Sequence, residues 1–358
     1  MEFGIFGLEL SGKTTLFSLL TGHDAAAATH KREAHVGIAH VPDPRLDRLT
    51  AMFKPKKHTP ATVRFVDVPG VVKGGAQSLN LPELRQMDGL AVVVRGFTSD
   101  AVPHPEGSID PARDLELLET EMLLSDLSVV TNRLDRVAKD IMKKKSPELE
   151  AERELLTRYK ATLEKGDALR AFDPTPDELK LIRGFGLLTL KPMLVILNAD
   201  EKDAGDLAGA LARATFDKWK GQPRVGFSAV SATIEQEIAA MSPEDQAEFL
   251  KGLGLPDRAL DRLLRAAYEL LGLVSFLTAG EDECRAWSIP RGTHAVKAAG
   301  VIHTDFERTF IRAEVVPFEK LMEAGSLAAC RTHGSFRLEG KDYVVQDGDV
   351  INFRVGAQ

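Results

Sequence analysis

GLELSGKTT, Gly7 to Thr15, lies between a short apolar run (Phe3, Ile5, Phe6) and TLFSLLTG, a helical pattern that stops at Gly22. A glycine, four residues and then Gly-Lys-Thr is the spacing of a phosphate-cradling loop, and strand, loop, helix is the setting such a loop requires. Gly7 opens the turn. Backbone N–H groups from Leu10 through Ser11, Gly12, Lys13 and Thr14 to Thr15 would ring a triphosphate tail. Lys13 would reach the β- and γ-phosphates, and Thr14 would ligate Mg²⁺. Glu9 puts a carboxylate among the four filler positions. Those side chains need not touch phosphate, so Glu9 is expected to point outward.

Further short apolar runs follow: VGIAHV (Val36 to Val41), TVRFVDV (Thr62 to Val68), LAVVVRG (Leu90 to Gly96), MLVILN (Met193 to Asn198) and RVGFSAVS (Arg224 to Ser231). Several are apolar without alternation, as strands covered on both faces of a mostly parallel sheet must be. The expected fold class is therefore α/β, with a nucleotide-binding sheet. Three more signals stand at the ends of these runs. Asp67-Val-Pro-Gly70 offers an aspartate for the Mg²⁺ shell and a glycine amide that can sense a γ-phosphate. Asn198-Ala-Asp-Glu201 stands where guanine readers write Asn-Lys-x-Asp. Ala199 and Glu201 alter that reader, which admits adenine. Ser231-Ala232-Thr233 follows the last strand, where backbone amides can contact the edge of a base.

Between Gly96 and Met193 the sheet pattern disappears. Leu123, Leu127, Val130, Leu134, Val137 and Ile141 recur at alternating spacings of four and three, a heptad seam. Lys143-Lys144-Lys145-Ser-Pro breaks it, and Leu149, Leu156, Tyr159 and Leu163 resume it. An antiparallel helical hairpin inserted into the sheet domain is expected, as a rigid spacer or as a docking arm. From Phe276 the chain turns to β-branched runs separated by glycine and proline, with Gln346-Asp-Gly-Asp349 reading as a turn. The expected domains are 1–110 with 190–275 for the nucleotide, 111–189 for the helical insertion and 276–358 for a small β-rich unit.

With 358 residues and a net charge of -7, the chain suits a multi-domain protein without an all-over basic surface, and no DNA partner is expected. Its two cysteines, Cys284 and Cys330, form neither a disulfide framework nor a zinc spacing. MEFGIFGLEL lacks a charged leader, and no apolar run approaches a membrane span, so a cytoplasmic protein is the default. The sequence leaves the oligomeric state open.

Taken with VPDPRLDRLTAMFKPKKHTPATVRFVDVPG (Val41 to Gly70), SATIEQEIA from Ser231, and the C-terminal AAGVIHTDFERTFIRAEV and EGKDYVVQDGDVINFR, these motifs make the chain resemble the YchF family of Obg-like ATPases over nearly its whole length. The resemblance implies a Ras-like P-loop domain, an inserted coiled-coil arm and a C-terminal TGS domain, which is ubiquitin-like. It also implies ATP in preference to GTP, through the Asn-x-x-Glu variant, and association with ribosomes or ribosomal RNA. Carried over by position, Leu10 to Thr15 match the phosphate loop, Thr14 the metal ligand, and Ala199 the base-contacting residue beside Asn198. Val71 falls where many GTPases place a water-orienting glutamine, and the family is hydrophobic there too. An aliphatic side chain cannot polarise water, so hydrolysis must draw help elsewhere. His104 matches a histidine proposed in the family to give that help.

Three departures from the family are visible. Glu9, Leu10 and Ser11 replace Pro-Asn-Val in the phosphate loop. Lys31 falls opposite the first-switch threonine, for which Thr29 could substitute only by a register shift. The Gly-rich second switch is shortened after Lys73-Gly74. A slow ATPase is the leading expectation. A nucleotide-binding module that does not hydrolyse, and a true GTPase, are the alternatives. From Glu281 to Gln358 ten Lys/Arg stand against twelve Asp/Glu, so RNA contact there would need a local cluster such as Arg308 and Arg312, and protein docking is an equal expectation.

Overall fold

The computed structural model describes residues 1–22, 35–68 and 81–356. They form two compact units, Met1–Ile38 with Arg64–Ala266, and Ala39–Val63 with Ala267–Gln358. Thr29, Lys31, Gly70, Val71 and the second switch, for which the sequence sets expectations, lie outside the described residues.

The nucleotide sheet uses β1 (Glu2–Phe6), β2 (His35–Val41), β4 (Ala61–Asp67), β5 (Gly89–Gly96), β6 (Met193–Ala199) and β7 (Val225–Val230), while β3 (Lys57–Thr59) joins the second sheet. Its order is β2-β4-β1-β5-β6-β7. β1 runs parallel to β4 and β5, β5 to β6, and β6 to β7. Leu90 to Arg95 and all of β6 are buried, the covering on both faces that the unbroken apolar runs require. Helices α1 (Lys13–Thr21), α2 (Pro44–Phe53) and α3 (Leu81–Gln86) precede the insertion. Because β1, β4, β5, β6 and β7 run parallel, the loops leaving their carboxyl ends arrive on one edge of the sheet. That edge is where open α/β sheets bind ligands.

The insertion is built on α4 (Pro111–Lys143) and α5 (Pro147–Leu163), started by the side-chain caps Asp110 and Ser146 and by a proline at the first turn of each. Leu123 and Val130 of the seam are buried in one cluster with Leu155, Leu156, Tyr159 and Leu163, with Leu127 and Leu134 half-buried beside them, and Val137 is buried further along α4. Arg133 clamps Glu152 with two hydrogen bonds of 2.6 and 2.8 Å. The hairpin continues into α6 (Pro176–Ile182), and its root is polar. Asp126, fully buried on α4, accepts from Leu188 N–H, Thr189 N–H and Thr189 Oγ1 at 2.8 to 3.0 Å. Glu119 binds the buried Arg170 and accepts from Trp219 Nε1 at 2.6 Å. Helices α7 (Leu207–Arg213) and α8 (Ala232–Ala239) follow β6 and β7.

The second unit carries β8 (Leu273–Ala279), β9 (Glu283–Pro290), β10 (Phe310–Pro317), β11 (Arg337–Glu339) and β12 (Asp349–Val355) in the order β11-β10-β12-β8-β9-β3. Its core stacks Phe276 on Trp287 and sets it edge-on to Phe353. The expected turn forms at 346–349: Gly348 sits at φ 83°, and Gln346 N–H donates to Asp349 Oδ2 at 2.9 Å. Grouping by sequence order alone would leave Ala39–Val63 with the nucleotide sheet. Within the compact units this segment, whose ends are strands β2 and β4 of that sheet, is grouped with the C-terminal residues. Two contacts give the reason: β3 pairs parallel with β9, and Arg45 of α2 reaches Asp347 at 2.7 Å.

Candidate nucleotide site

β1 ends at Phe6, and the backbone then makes a turn that side chains would block. A Cβ on Gly7 would lie 2.3 Å from the Val93 carbonyl oxygen, and one on Gly12 would lie 2.3 Å from Asn198 Nδ2. Gly12 also needs φ 89°, which L side chains rarely adopt. Leu10 takes the left-handed conformation too, at φ 61°, a conformation costing a non-glycine residue about 1–2 kcal/mol. The loop is thus held in shape by neighbours rather than by local preference. Leu10 and Glu9 are both exposed, and the Glu9 carboxylate still lies close enough to act on the Lys13 ammonium.

Lys13 opens α1 and is 7 % exposed, with Nζ donating to the Leu8 carbonyl at 2.7 Å. Burial pushes its pKa down to about 8, while the nearby carboxylates of Asp67 and Glu9 pull it back up. Thr14 Oγ1 donates to Asp67 Oδ2 at 3.0 Å. The other oxygen, Asp67 Oδ1, is buried and has no hydrogen-bond partner. Desolvation raises the Asp67 pKa, against the Thr14 hydrogen bond, Lys13 and His35. A hydroxyl paired with a carboxylate that keeps one orphaned oxygen fits a divalent cation beside a triphosphate. Thr14 and Asp67 are therefore brought together as a metal pair would need.

Asn198, 4 % exposed at the end of β6, holds the edge in register. Its Nδ2 donates to the Ser11 carbonyl at 3.1 Å, and its Oδ1 accepts from Ala232 N–H at 3.1 Å. One side chain so ties the phosphate loop to the start of α8. Asn198→Ala would leave both backbone groups buried without partners, at about 1–3 kcal/mol each. The variant is expected to melt several degrees lower and to bind nucleotide more weakly, read by calorimetry on the free protein and with ligand. Ala199 is buried, Glu201 and Thr233 are exposed, and Ser231 precedes α8 with its Oγ buried and unpaired.

Two contacts at this edge had no sequence signal. Asp200, third in the Asn-Ala-Asp-Glu stretch, accepts from both Thr98 N–H at 3.1 Å and Thr98 Oγ1 at 2.8 Å, which holds its carboxyl below the usual range. Arg95, buried at the end of β5, donates to the carbonyls of Phe97 and Val102 at 3.1 and 2.8 Å and lies 4.4 Å over the Phe97 ring. Together they shape the loop after β5, which carries His104. The His104 side chain is 4 % exposed, and its Nε2 lies 2.9 Å from Asp114 Oδ2. Its Nδ1 accepts from Glu106 N–H at 3.1 Å, so Nε2 bears the proton and donates to Asp114. Both ring nitrogens are engaged.

Similarity to known proteins covers the whole chain. A family model named YchF-GTPase_C, described as a protein of unknown function (DUF933), matches residues 273–356. The ribosome-binding ATPase YchF of Bacillus subtilis (strain 168) is 40 % identical over 359 residues, covering 98 % of each chain. Its counterpart in Escherichia coli O157:H7 is 38 % identical with the same coverage, and Obg-like ATPase 1 of rice is 35 % identical over 99 % of this chain and 92 % of that one. The solved structure of the Schizosaccharomyces pombe YchF GTPase superposes with a TM-score of 0.84 at 28 % identity, over 99 % of this chain and 97 % of that one.

Proposed function

The chain belongs to the YchF family, and on that premise we propose that it is a ribosome-associated switch that binds ATP and hydrolyses it slowly to ADP and phosphate. The observation that carries this reading is the convergence of Lys13, Thr14, Asp67 and Asn198 on the carboxyl edge of one parallel sheet. In this reading the amides of Leu10 to Thr15 and the Lys13 ammonium hold the triphosphate. Thr14 and Asp67 would hold Mg²⁺, which when bound neutralises charge between the outer phosphates. The second unit would be the TGS domain and the helical hairpin the arm, with nucleotide state setting how both dock on the ribosome.

Adenine is favoured over guanine by what the two carboxylates near the base do. Glu201 is exposed, and Asp200, one place short of the guanine-reading position, is already engaged by Thr98. Calorimetry in Mg²⁺ is expected to give ATP at least about tenfold tighter than GTP, a difference near 1.4 kcal/mol. Equal or tighter GTP would remove the base assignment.

Hydrolysis in this reading relies on His104, because Val71 offers no polar group to the attacking water. The engagement of both His104 nitrogens favours a second reading, a binding module that turns nothing over. Phosphate release separates the two. Release stimulated by ribosomes and lost in His104→Asn, with ATP affinity kept, supports the switch. No release even with ribosomes supports the module.

Lys13 also sets a pH dependence. Its folded pKa, about 8, lies below the ordinary 10.5, so the free protein sheds this proton more readily than the unfolded chain does. Stability from this group therefore rises as pH climbs from about 8 to 10.5, where the unfolded chain holds the extra proton. Phosphate binding needs the charged form, so ATP affinity should move the opposite way, falling by up to about tenfold per unit above pH 8. A flat affinity profile between pH 7 and 9.5 would show that the ammonium does not face phosphate.

A further inference from the structure

At the amino ends of the same strands, away from the phosphate loop, the first unit has a hollow of about 470 Å³. Asp88 before β5, Pro192 before β6 and Arg224 before β7 mark its position on the sheet. Its floor is aliphatic: Leu179 and Ile182 of α6, with Leu187 and Leu190 from the turn beyond. Leu179 remains 47 % exposed, an uncovered apolar side chain inside a concave surface.

The rim is basic. Lys180, Arg183, Lys191 and Arg224 line the hollow against Asp88 alone. The Arg183 side chain makes no ion pair or hydrogen bond among the described residues, and the residue is exposed. Lys180 pairs with Asp177 at 2.8 Å, but both side chains are more than three-quarters exposed, and such pairs exchange at little cost. Arg224 sits at φ 60°, a conformation costly for a non-glycine residue, and its guanidinium is held by the Phe172 carbonyl at 2.7 Å and by the fully exposed Asp173. Lys191 is satisfied by the carbonyls of Arg85 and Met87 and contributes its charge without needing a partner.

We propose that this hollow docks a short acidic segment of a partner protein, with one or two aliphatic side chains on Leu179 and Ile182 and carboxylates against Arg183 and Lys180. Charge complementarity selects the sign: Arg183 has no side-chain partner among the described residues, and the ion pairs of Lys180 and Arg224 are to highly exposed carboxylates. The floor selects the class of partner. Single-stranded nucleic acid is gripped by stacking its bases on aromatic rings, and no aromatic residue lines this hollow. A hollow of this size is in the range that takes a few anchoring side chains, with polar contacts at its mouth. The site does not involve the nucleotide edge, so it stands whether or not ATP is hydrolysed.

The test is selection from a random dodecapeptide display library on the full-length protein, followed by fluorescence polarisation with the selected peptides. Enrichment of Asp and Glu around a pair of aliphatic residues is expected, with binding weakened at least about tenfold in Lys180→Glu/Arg183→Glu and lost in Leu179→Asp. All three positions are solvent-exposed, so the variants should fold. Selected peptides without acidic enrichment, or peptides that bind the charge-reversed protein equally well, overturn the proposal. So does a result in which no peptide is selected but a single-stranded RNA oligonucleotide binds and is lost in the same variant, which would make the hollow a nucleic-acid contact.

Discussion

Lys13→Ala is expected to lower the affinity for ATP with Mg²⁺ by about two to three orders of magnitude, equivalent to roughly 3–4 kcal/mol. The side chain is almost fully buried, and among the described residues its ammonium donates only to the Leu8 carbonyl inside its own loop. Holding an ammonium there without a phosphate is unfavourable, as its lowered pKa records. A triphosphate would supply the missing counter-charge, so removing the group loses the charge-assisted contacts that give the loop its affinity. Folding should survive, because the same substitution also relieves the burial of a cation. Titration calorimetry with ATP and a thermal melt of the free variant read the two effects separately. An affinity within threefold of the original would mean that the loop holds no triphosphate, and the proposed switch would fall with it.

Glu119→Leu is expected to be the most destabilising single change at the root of the helical arm, by about 3–5 kcal/mol, a drop in Tm on the order of 10 °C. Arg170 is 1 % exposed, and Glu119 is its hydrogen-bond partner; its Nε and Nη1 are buried with none. Removing the carboxylate strands a buried guanidinium and also frees Trp219 Nε1, which donates to Glu119 at 2.6 Å. The paired variant Glu119→Leu/Arg170→Met removes both charges. It should recover most of the loss, since an apolar replacement of a whole buried pair is often close to neutral. A double variant as unstable as the single one would assign the loss to packing around α4 rather than to a stranded charge.

His104 shows where reading by position runs short. The sequence aligns it with a candidate catalytic histidine, but its chemistry depends on Asp114, ten residues on at the start of α4, and on the Glu106 amide. No spacing rule connects those three. Asp200 is similar: in the sequence it is a filler between Ala199 and Glu201, whereas in the fold it fastens the end of β6 to Thr98, about one hundred residues earlier. The sequence reads Asn198 as a candidate base-loop residue, and nothing in it announces the tie between Ser11 and Ala232.

What the sequence determined by itself is local and periodic: the phosphate-loop spelling, the apolar strands that must be covered on both faces, the heptad seam and its break at Lys143-Lys144-Lys145, and the turn at Gln346 to Asp349. Each of these follows from neighbours within a few residues, where backbone geometry and side-chain period act directly. Tertiary structure alone decided that Ala39–Val63 is grouped with the C-terminal residues, that Asp67 keeps an oxygen unpaired beside Thr14, and that an aliphatic hollow with a basic rim forms at the far end of the strands. Those facts depend on which groups lose water together, and burial of a charge or a carbonyl is set by residues tens to hundreds of positions away.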